Sequence, residues 1–484
     1  MSGPGRDPKD GGALEAAVSQ AETDRGRLDS SAMGPFSLTT LGIASVVGAG
    51  IFVTTGDAAA EFAGPAVVIS FLLCGVAAGA MALCYAELAS MIPAAGSTYT
   101  YTYAIFGLFP AWFIGWDLLL EYMFAASTVA VGWSGYAVSL LGNIGITVPD
   151  SLANPPFGND PGTVNLPALA IVALTCGLLA VGVRQSARVN DSMVVLKMAV
   201  LILFVIVGAT YVTTSNWDPF VPSQGEEFGE FGVGGILRAA GLTFFAYVGF
   251  DAVSTAAAES RNPQRTVPIG LIATVLISTL LYIAVALVLT GMLSYTELGV
   301  ADPLSKAIEA QGAGLDWLQR VVNVGAVVGL ASCVLVTFYG QTRIFMRMSS
   351  DGMLPPAFGH VSETLKTPVF ATVVCAVVGG AVAGLVPIEE LGQLVSMGTL
   401  LAFLFVCSGV MILRRRRPDV ERPFRVPYLN FVASLGIVSA LALMVTLPGV
   451  TWIRLVVWLA IGLAIFYFYS RHHAVRRTPV VRGG

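Results

Sequence analysis

Long apolar runs recur along the whole chain and restrict its possible folds more than any other feature of the sequence. We count twelve runs, each of about 20 residues or more, the length that a helix needs to cross the hydrocarbon core of a bilayer. Because lipid offers the backbone no hydrogen-bond partner, such runs fold as helices. The sequence therefore predicts an all-α integral membrane protein with twelve transmembrane helices. Numbered in chain order, the runs cover residues 37–57, 64–90, 105–141, 166–183, 192–213, 232–258, 267–292, 319–345, 369–386, 391–413, 429–447 and 452–470.

Composition supports the same class of protein. Hydrophobic residues make up 55% of the 484 residues and charged residues only 12%, whereas soluble domains carry roughly 25% charged residues. Residues 1–35 differ, because they are rich in glycine, serine, alanine and charge and hold no apolar block. We expect this segment to be a disordered cytoplasmic tail. We expect no nucleic-acid partner.

Nearly all of the 26 Lys and Arg residues fall on one side of the membrane when the N-terminus is placed in the cytoplasm. Cytoplasmic loops carry such an excess of basic residues, so we expect both termini in the cytoplasm and the chain in the cytoplasmic (plasma) membrane. Residues 414–427, "RRRRPDVERPFRVP", form a basic cytoplasmic linker, whose charge we interpret as the same signal plus attraction to anionic lipid. The exceptions are Arg238, Lys306, Arg320 and Arg454 in outside segments and Lys197 within run five.

Cysteine and histidine are placed where they offer no catalytic or metal centre inside the membrane. The six cysteines all fall in apolar runs without a CxxC pair, which favours a role as buried small hydrophobic residues. The three histidines, His360, His472 and His473, lie in loops or in the C-terminal tail. A membrane-embedded acyl or lipid transferase would usually need a His, Cys or metal group near the interface. We therefore expect neither an enzyme nor a metal or organic cofactor.

Run one contains glycines near its centre, where glycine weakens a helix. The stretch "GIASVVGAGIFVTTG", residues 42–56, holds four glycines, and each glycine inside a helix costs about 1 kcal/mol relative to alanine. Run six has Gly249 near its middle. Interrupted helices at matching positions of two inverted repeats surround the central site of many transporters. The alternative is that the glycines serve close helix packing, with Gly42, Val46 and Gly50 on one side.

Ionisable residues inside the runs need an explanation, because a charge at the bilayer centre costs at least about 2.5–3.5 kcal/mol. Lys197 lies in run five, and its amine either snorkels to the cytoplasmic surface or gains and loses a proton inside the protein. Glu121 in run three is either a structural hydrogen-bonding partner or part of a substrate or proton path, with Asp117 one turn before it. Asp251 in run six is a favoured residue for capping a helix that restarts after a break.

Several ordered motifs resemble those of a known transporter family. They are "GIASVVGAGIFVTTG", "YAELASMIPAAGSTYTYTY" at 85–103, "GWDLLLEY", "SARVNDSMVVLKM", "TFFAYVGFDAVSTAAAESRNPQRTVPIGL" at 243–271 and "YGQTRIFMRMSSDGMLP" at 339–355. Together they resemble the amino acid–polyamine–organocation superfamily, and within it the bacterial members of the cationic amino acid transporter family. The resemblance covers residues 35–470.

The resemblance implies a leucine-transporter-type fold, with a five-plus-five inverted repeat and two extra helices. Residues 36–213 would form the first repeat and residues 232–413 the second. The linker 414–427 would lead to the two further helices, within 428–470, and to a cytoplasmic C-terminal tail, 471–484.

The resemblance also implies an amino-acid site where runs one and six unwind. The second half of run one, beginning near Ala49 and Gly50, would offer free N–H groups to the substrate carboxylate. Its first half, ending near Val46, would offer carbonyls to the ammonium, and run six would add others. Lys197 matches the lysine of proton-coupled members, where its amine takes the place of a sodium ion. The expected substrate-binding residues are Val46, Ala49, Gly50, Ile51, Phe245, Ala246 and Val248.

Glu121 matches the acidic residue of the family in its third helix, and we assign it to the path or gate together with Asp251 and Phe250, the latter as a candidate for the outer gate. The family name suggests a cationic substrate, which stays an alternative. No further acid lies in run eight between Ala331 and Gln341 to pair with a cationic side chain, which favours a small neutral amino acid such as alanine. We expect a proton-coupled importer of L-amino acids that works by alternating access in the lipid bilayer. An obligate exchanger and a non-transporting amino acid sensor are the alternatives.

Overall fold

Helices form every regular element in the described part of the computed structural model, which covers residues 33–92, 97–157, 161–182, 187–225, 229–257, 260–365 and 367–477. A single isolated β-bridge within those ranges joins Met33 to Ser260. The predicted N-terminal tail lies almost entirely outside the described residues, and so does the end of the C-terminal tail.

The apolar runs fold as helices. Nine helices in the described ranges are long and apolar enough to cross a membrane, and three shorter apolar helices accompany them. We call the end of the bundle at which Met33 lies the N-terminal face and the opposite end the far face. The nine are Thr54–Met91, Leu108–Gly142, Asp191–Tyr211, Gly232–Thr255, Pro263–Met292, Ala313–Ser350, Ile388–Arg416, Leu429–Thr446 and Gly449–Ala474. The three are Pro35–Val46, Leu166–Val181 and Val369–Leu385.

Large apolar side chains cover the outside of this bundle. Leu174, Leu280 and Val438 keep 61%, 61% and 63% of their surface exposed, although each lies near the middle of an apolar helix. Exposed apolar area of this extent is unfavourable in water and favourable in lipid. Because the helices turn their apolar faces outward, the chain is a multi-pass membrane protein.

Run one is interrupted at its centre. The helix Pro35–Val46 ends where Val47 and Gly48 leave helical geometry, with φ/ψ of −80°/86° and −136°/−145°. The chain then continues in two short helices, Ala49–Phe52 and Thr54–Ala58. The stop and the restart lie where the glycines of the sequence predict them.

Run six is interrupted in a similar way. The helix Gly232–Thr243 passes into a 3-10 turn, Phe244–Tyr247, and the chain resumes as the short helix Ala252–Thr255. Between them Gly249 has a φ of +99°, which side chains rarely tolerate and which glycine adopts without strain. Asp251 stands immediately before the new helix, but its side chain makes no capping hydrogen bond. The capping interpretation of this residue is therefore wrong.

The basic linker 414–427 is bound to the bundle through a buried carboxylate. Glu87, only 1% exposed, accepts hydrogen bonds at 2.8 Å from Arg414 Nε and at 2.8 Å from the backbone N–H of Val426. Arg422 Nε lies 3.4 Å from the same carboxylate. Burial lowers the pKa of the Arg422 guanidinium, and the negative charge of Glu87 opposes that effect. Arg414 and Arg422 thus bind within the protein, which corrects their interpretation as lipid-attracting residues. The Arg422 guanidinium also donates to the carbonyls of Leu413, Arg417, Pro418 and Val420.

Glu87→Gln is expected to lower the stability of the protein and release the linker. The change leaves the buried guanidinium of Arg422 without its counter-charge, and breaking a buried ion pair from one side costs about 3–5 kcal/mol. The measurements are the midpoint of thermal unfolding and the rate of tryptic cleavage within 414–427. Glu390→Gln is the matched control, because it breaks a 2.6 Å pair with Arg454 whose side chains are 41% and 35% exposed. Such exposed pairs contribute about 0–1 kcal/mol, so equal losses in the two variants would contradict a stabilising role of Glu87.

Candidate functional site

A cavity of about 40 Å³ lies between the two helix breaks. A cavity of that volume has room for roughly three water molecules. Its walls come from the two breaks, from the middle of run three and from run eight. The lining residues are Ser45, Val46, Gly48, Ala49, Gly50, Glu121, Tyr122, Ala125, Val129, Phe245, Val248, Gly249, Cys333, Val336 and Thr337.

The break of run one places backbone donors beside the cavity. The N–H groups of Ile51 and Phe52 both bond to the carbonyl of Gly48, at 3.2 and 3.3 Å. The N–H groups of Ala49 and Gly50 open the same helix, and within the described ranges no acceptor for either is seen. Donors at the start of a helix have no partner inside it, so they are available to an anionic group such as a carboxylate.

Gly50 is also the point at which the two broken segments touch. An added Cβ at this position would lie 2.4 Å from Ala246 Cα and 2.5 Å from Ala246 Cβ, so no side chain fits there. The hydroxyls of Thr54 and Thr55 donate to the carbonyl of Gly50 at 2.7 and 3.1 Å. The backbone of run one is therefore fixed against run six at the cavity.

One tyrosine that the sequence analysis did not single out holds carbonyls at both breaks. Tyr282 of run seven is fully buried, and its hydroxyl oxygen lies 2.9 Å from Val46 O and 2.8 Å from Ala246 O. Because a hydroxyl has one proton, it can donate to only one of these carbonyls at a time. The carbonyl of Phe245 accepts from the N–H of Val248 at 3.1 Å. Val46 O also accepts from the N–H of Gly48 at 3.0 Å. These carbonyls therefore have partners within the protein already, but a carbonyl oxygen has a second lone pair that an ammonium group could use.

Lys197 reaches the break of run one from run five. Its Nζ donates to the carbonyls of Ala44 and Val47, both at 2.8 Å, and the side chain is fully buried. The stem packs on Gly329 of run eight, where an added Cβ would lie 3.1 Å from Lys197 Cβ. Because the amine points into the protein, the snorkelling interpretation is wrong. The two accepting carbonyls lie at the end of the first half of run one, where the helix itself no longer provides donors. The amine supplies these donors.

Three buried carboxyl groups lie in or near the cavity. Glu121 lines it, Asp117 lies one turn earlier on the same helix, and Asp251 follows the break of run six; their exposed fractions are 2%, 0% and 2%. Electrostatic interactions connect Glu121 with both other carboxyl groups, and the Thr399 hydroxyl lies beside it. An added Cβ on Gly398 of run ten would lie 3.1 Å from Asp117 Oδ1. Like charges buried together are unfavourable, so a negative charge on one of these groups opposes a negative charge on its neighbours.

Phe250 lies between the cavity and the N-terminal face. Its ring stacks on Phe403 with 4.9 Å between centroids and meets Tyr85 edge-on at 6.2 Å. Tyr85 in turn contacts Tyr101 and lies six residues before the end of the helix Val67–Met91 at the N-terminal face. Run six descends from the far face to the N-terminal face, so a residue after its break belongs to the N-terminal side. Phe250 therefore lies on the N-terminal side of the cavity, and its assignment to the path or gate stays a prediction.

The structure brings most of the predicted residues together and adds others that the sequence analysis missed. Ile51 and Ala246 are buried but do not line the cavity. Ala125 and Val129 could have been found, because they share a helical face with Glu121 at spacings of four. Tyr282 and Cys333 gave no such signal, since each is a single residue inside an apolar run. The predicted residues that do line the cavity are Val46, Ala49, Gly50, Glu121, Phe245 and Val248.

A lipid-facing helical bundle with a cavity between two broken helices defines a membrane transporter rather than an enzyme. Residues 33–474 match the amino acid permease family. The chain belongs to this family and, with it, to the amino acid–polyamine–organocation superfamily, as its motifs predict.

Three relatives show how far the similarity extends. The methylthioribose transporter of Bacillus subtilis (strain 168) is 43% identical over 443 residues, which are 92% of this chain and 94% of the relative. The branched-chain amino acid permease BcaP of the same organism is 44% identical over 446 residues, 91% of this chain and 93% of the relative. The vacuolar cationic amino acid transporter 4 of Arabidopsis thaliana is 34% identical over 382 residues, 79% of this chain and 63% of the relative. Because these relatives are named for different substrates, overall similarity alone does not specify the substrate of this chain.

Proposed function

We propose that this protein imports L-amino acids together with protons across the cytoplasmic membrane by alternating access. The proposal includes twelve membrane crossings, both termini in the cytoplasm, and a five-plus-five inverted repeat followed by two helices. The observation that carries it is the pair of hydrogen bonds from Lys197 Nζ to the carbonyls of Ala44 and Val47. An amine that can gain and lose a proton, and that closes a broken helix beside a cavity, is suited to couple protonation to helix movement.

Backbone groups would recognise the part of the substrate that all amino acids share. The N–H groups of Ala49 and Gly50 would donate to the carboxylate. The ammonium would donate to Val46 O or Ala246 O, whichever of the two the Tyr282 hydroxyl is not serving. The zwitterion would thus supply the second donor that this pair of carbonyls needs, without a metal or a cofactor.

The remaining walls favour a small neutral side chain. Ala125, Val129 and Val336 are apolar, and Glu121 is the one ionisable acid among the lining residues within the described ranges. The printed name of the BcaP relative fits this preference, whereas a cationic substrate would depend on Glu121 alone. Methylthioribose is a neutral sugar thioether without carboxylate or ammonium, so it would leave the N–H groups of Ala49 and Gly50 without an anionic partner.

The protonation state of Lys197 would set the strength of its hydrogen bonds to run one. As an ammonium it makes two charge-assisted hydrogen bonds, which are about twice as strong as neutral ones. After losing its proton inside, the amine would hold Ala44 and Val47 more weakly, and the first half of run one could move away from the cavity. Glu121 and Asp251 would line the route of the proton, and the ring of Phe250 would separate the cavity from the N-terminal side.

Uptake into proteoliposomes tests the proposal. We expect an inward proton gradient to accelerate uptake of the preferred amino acid into vesicles that contain none. Equal uptake with and without the gradient would contradict proton coupling. Uptake that requires preloaded internal amino acid would identify an obligate exchanger, and binding without flux would identify a sensor.

Thermal stabilisation would identify the substrate. A ligand that binds only the folded protein raises its apparent stability. The panel contains the twenty amino acids and methylthioribose, and the apolar walls predict the largest shift for a small or branched neutral amino acid. A larger shift with arginine, lysine or methylthioribose would contradict the neutral amino acid preference.

A further inference from the structure

Residues 298–309 cover the second half of run one on the far side of the cavity. This segment, which we call the far-face lid, ends in the helix Pro303–Glu309. An added Cβ on Gly56 of run one would lie 2.3 Å from Leu298 O, and one on Gly135 of run three would lie 2.7 Å from Ala301 O. The lid therefore touches the backbone of both helices, and run one cannot shift there without displacing it.

Asp302 lies beside a polar cluster that joins this lid to the bundle. Its carboxyl group interacts with the hydroxyls of Ser139 on run three and Ser305 on the lid, which are 3.3 Å apart. Gln319 Nε2 donates to Ser305 at 3.1 Å, and Asn323 Nδ2 donates to Ser139 at 3.1 Å. The cluster joins the lid to runs three and eight. Burial raises the pKa of Asp302 from 3.8 to about 6, although the two hydroxyls favour its ionised form.

The charged groups around the cluster do not compensate an ionised Asp302. On the lid itself, Glu309 opposes ionisation and Lys306 favours it, and both effects are smaller than that of burial. The start of run eight contributes Asp316 and Arg320, which line a polar cleft with Glu309. On run one, Asp57 has Glu389 and Glu61 as its charged neighbours, and on run three Tyr136 donates to the carbonyl of Phe52 at 2.7 Å.

We propose that Asp302 is a second proton-binding site, outside the membrane-spanning helices, which controls whether the far-face lid is seated on run one. The inference rests on the proposed function in that the lid covers the amino-acid site. With its proton, the half-buried neutral carboxyl group stays beside the two hydroxyls and the lid is seated. Without it, the carboxylate is better hydrated when the lid lifts. The seated form binds the proton more tightly than the lifted form, so seating weakens as pH rises through about 6.

The size of the effect follows from the two proton affinities. With a pKa of 3.8 for the lifted form and about 6 for the seated form, the ratio of lifted to seated protein rises about tenfold between pH 5 and pH 7. Asp302→Asn cannot ionise, so its ratio is expected to stay constant over that range.

Cysteine labelling of the full-length protein measures this ratio. Ala307→Cys places a thiol at a fully buried position of the lid helix, and the native cysteines are buried. The labelling rate of Ala307→Cys with a hydrophilic maleimide is divided by the labelling rate of Gly314→Cys. Gly314 is exposed and has no neighbour within 4 Å, so the division removes the intrinsic pH dependence of thiol labelling. We expect this quotient to rise about tenfold from pH 5 to pH 7 in the parent and in Glu309→Gln, an exposed carboxylate on the same helix, but not in Asp302→Asn.

Two results would overturn the proposal: a flat quotient in the parent, or an equal rise in Asp302→Asn. Amino acid binding, measured by thermal stabilisation at pH 5, is expected to be the same in Asp302→Asn as in the parent. If no amino acid stabilises the parent while the labelling quotient still depends on Asp302, the proposed substrate is wrong and the proton-dependent lid stands.

Discussion

Gly50→Val is expected to abolish amino acid binding while leaving the protein inserted in the membrane. The first added carbon would lie 2.4 Å from Ala246 Cα, which belongs to the backbone of the other broken helix and cannot rotate away. Runs one and six would have to separate at the cavity, and the donors of Ala49 and Gly50 would no longer face the carbonyls of run six. The measurement is amino acid-dependent thermal stabilisation of the purified variant, with membrane content measured in parallel.

Gly79→Val is the matched control for this substitution. Gly79 lies in the helix Val67–Met91, and an added Cβ there would meet nothing within 4 Å. The control makes the same chemical change in a membrane helix and is expected to bind normally. Undiminished binding by Gly50→Val would place the amino-acid site elsewhere, and equal loss in both variants would point to a general effect of valine on folding.

Lys197→Met is expected to remove the contribution of this amine to the pH dependence of uptake, leaving that of the far-face lid, and to slow uptake by about fivefold or more. Methionine keeps much of the buried stem but has no donor, so the carbonyls of Ala44 and Val47 lose their partner. A buried polar group left without a partner costs about 1–3 kcal/mol, which corresponds to about five- to 160-fold in rate where the conformational step limits transport. The measurement is the initial rate of uptake into proteoliposomes at several external pH values.

Lys306→Met is the matched control, because Lys306 is an exposed lysine of the far-face lid whose pair with Glu309 is long, at 3.9 Å. Such pairs contribute little, and the effect of Lys306 on Asp302 is smaller than that of burial. We therefore expect uptake and its pH dependence close to those of the parent. Unaltered pH dependence in Lys197→Met would exclude this amine as the coupling group. The labelling assay of the far-face lid then separates the contribution of Asp302 from that of Lys197, since it requires no transport.

The break of run one could be predicted from the sequence because its cause is local. Gly48 and Gly50 weaken the helix within their own turn, and the helix ends at Val46 and restarts at Ala49 as expected. The burial of Lys197 was open at that stage, because a long side chain of this depth can reach either the surface or the interior. Only the positions of Ala44 O and Val47 O decide between these outcomes.

The side of the cavity on which Phe250 lies depends on the direction in which run six crosses the bundle. Its residue type and its proximity to a break favour a gate, but they do not give this direction. Because run six descends toward the N-terminal face, residues after its break lie on that side, against Phe403 and Tyr85. Sequence reasoning misses Tyr282 for a related reason. The carbonyls that its hydroxyl contacts belong to other helices, and its neighbours in the sequence do not indicate them.

The sequence by itself determined the class of fold, the family and the position of the break in run one, because apolar length and glycine content act through the backbone within a few residues. Tertiary structure alone decided which groups satisfy one another across the bundle. Glu87 binds Arg414 and Arg422, Tyr282 contacts carbonyls of both breaks, and Ser305 of the lid contacts Ser139 of run three. Each of these contacts joins residues that are far apart in the sequence or on different helices. Their energies depend on distance and burial, which no local pattern of residues specifies.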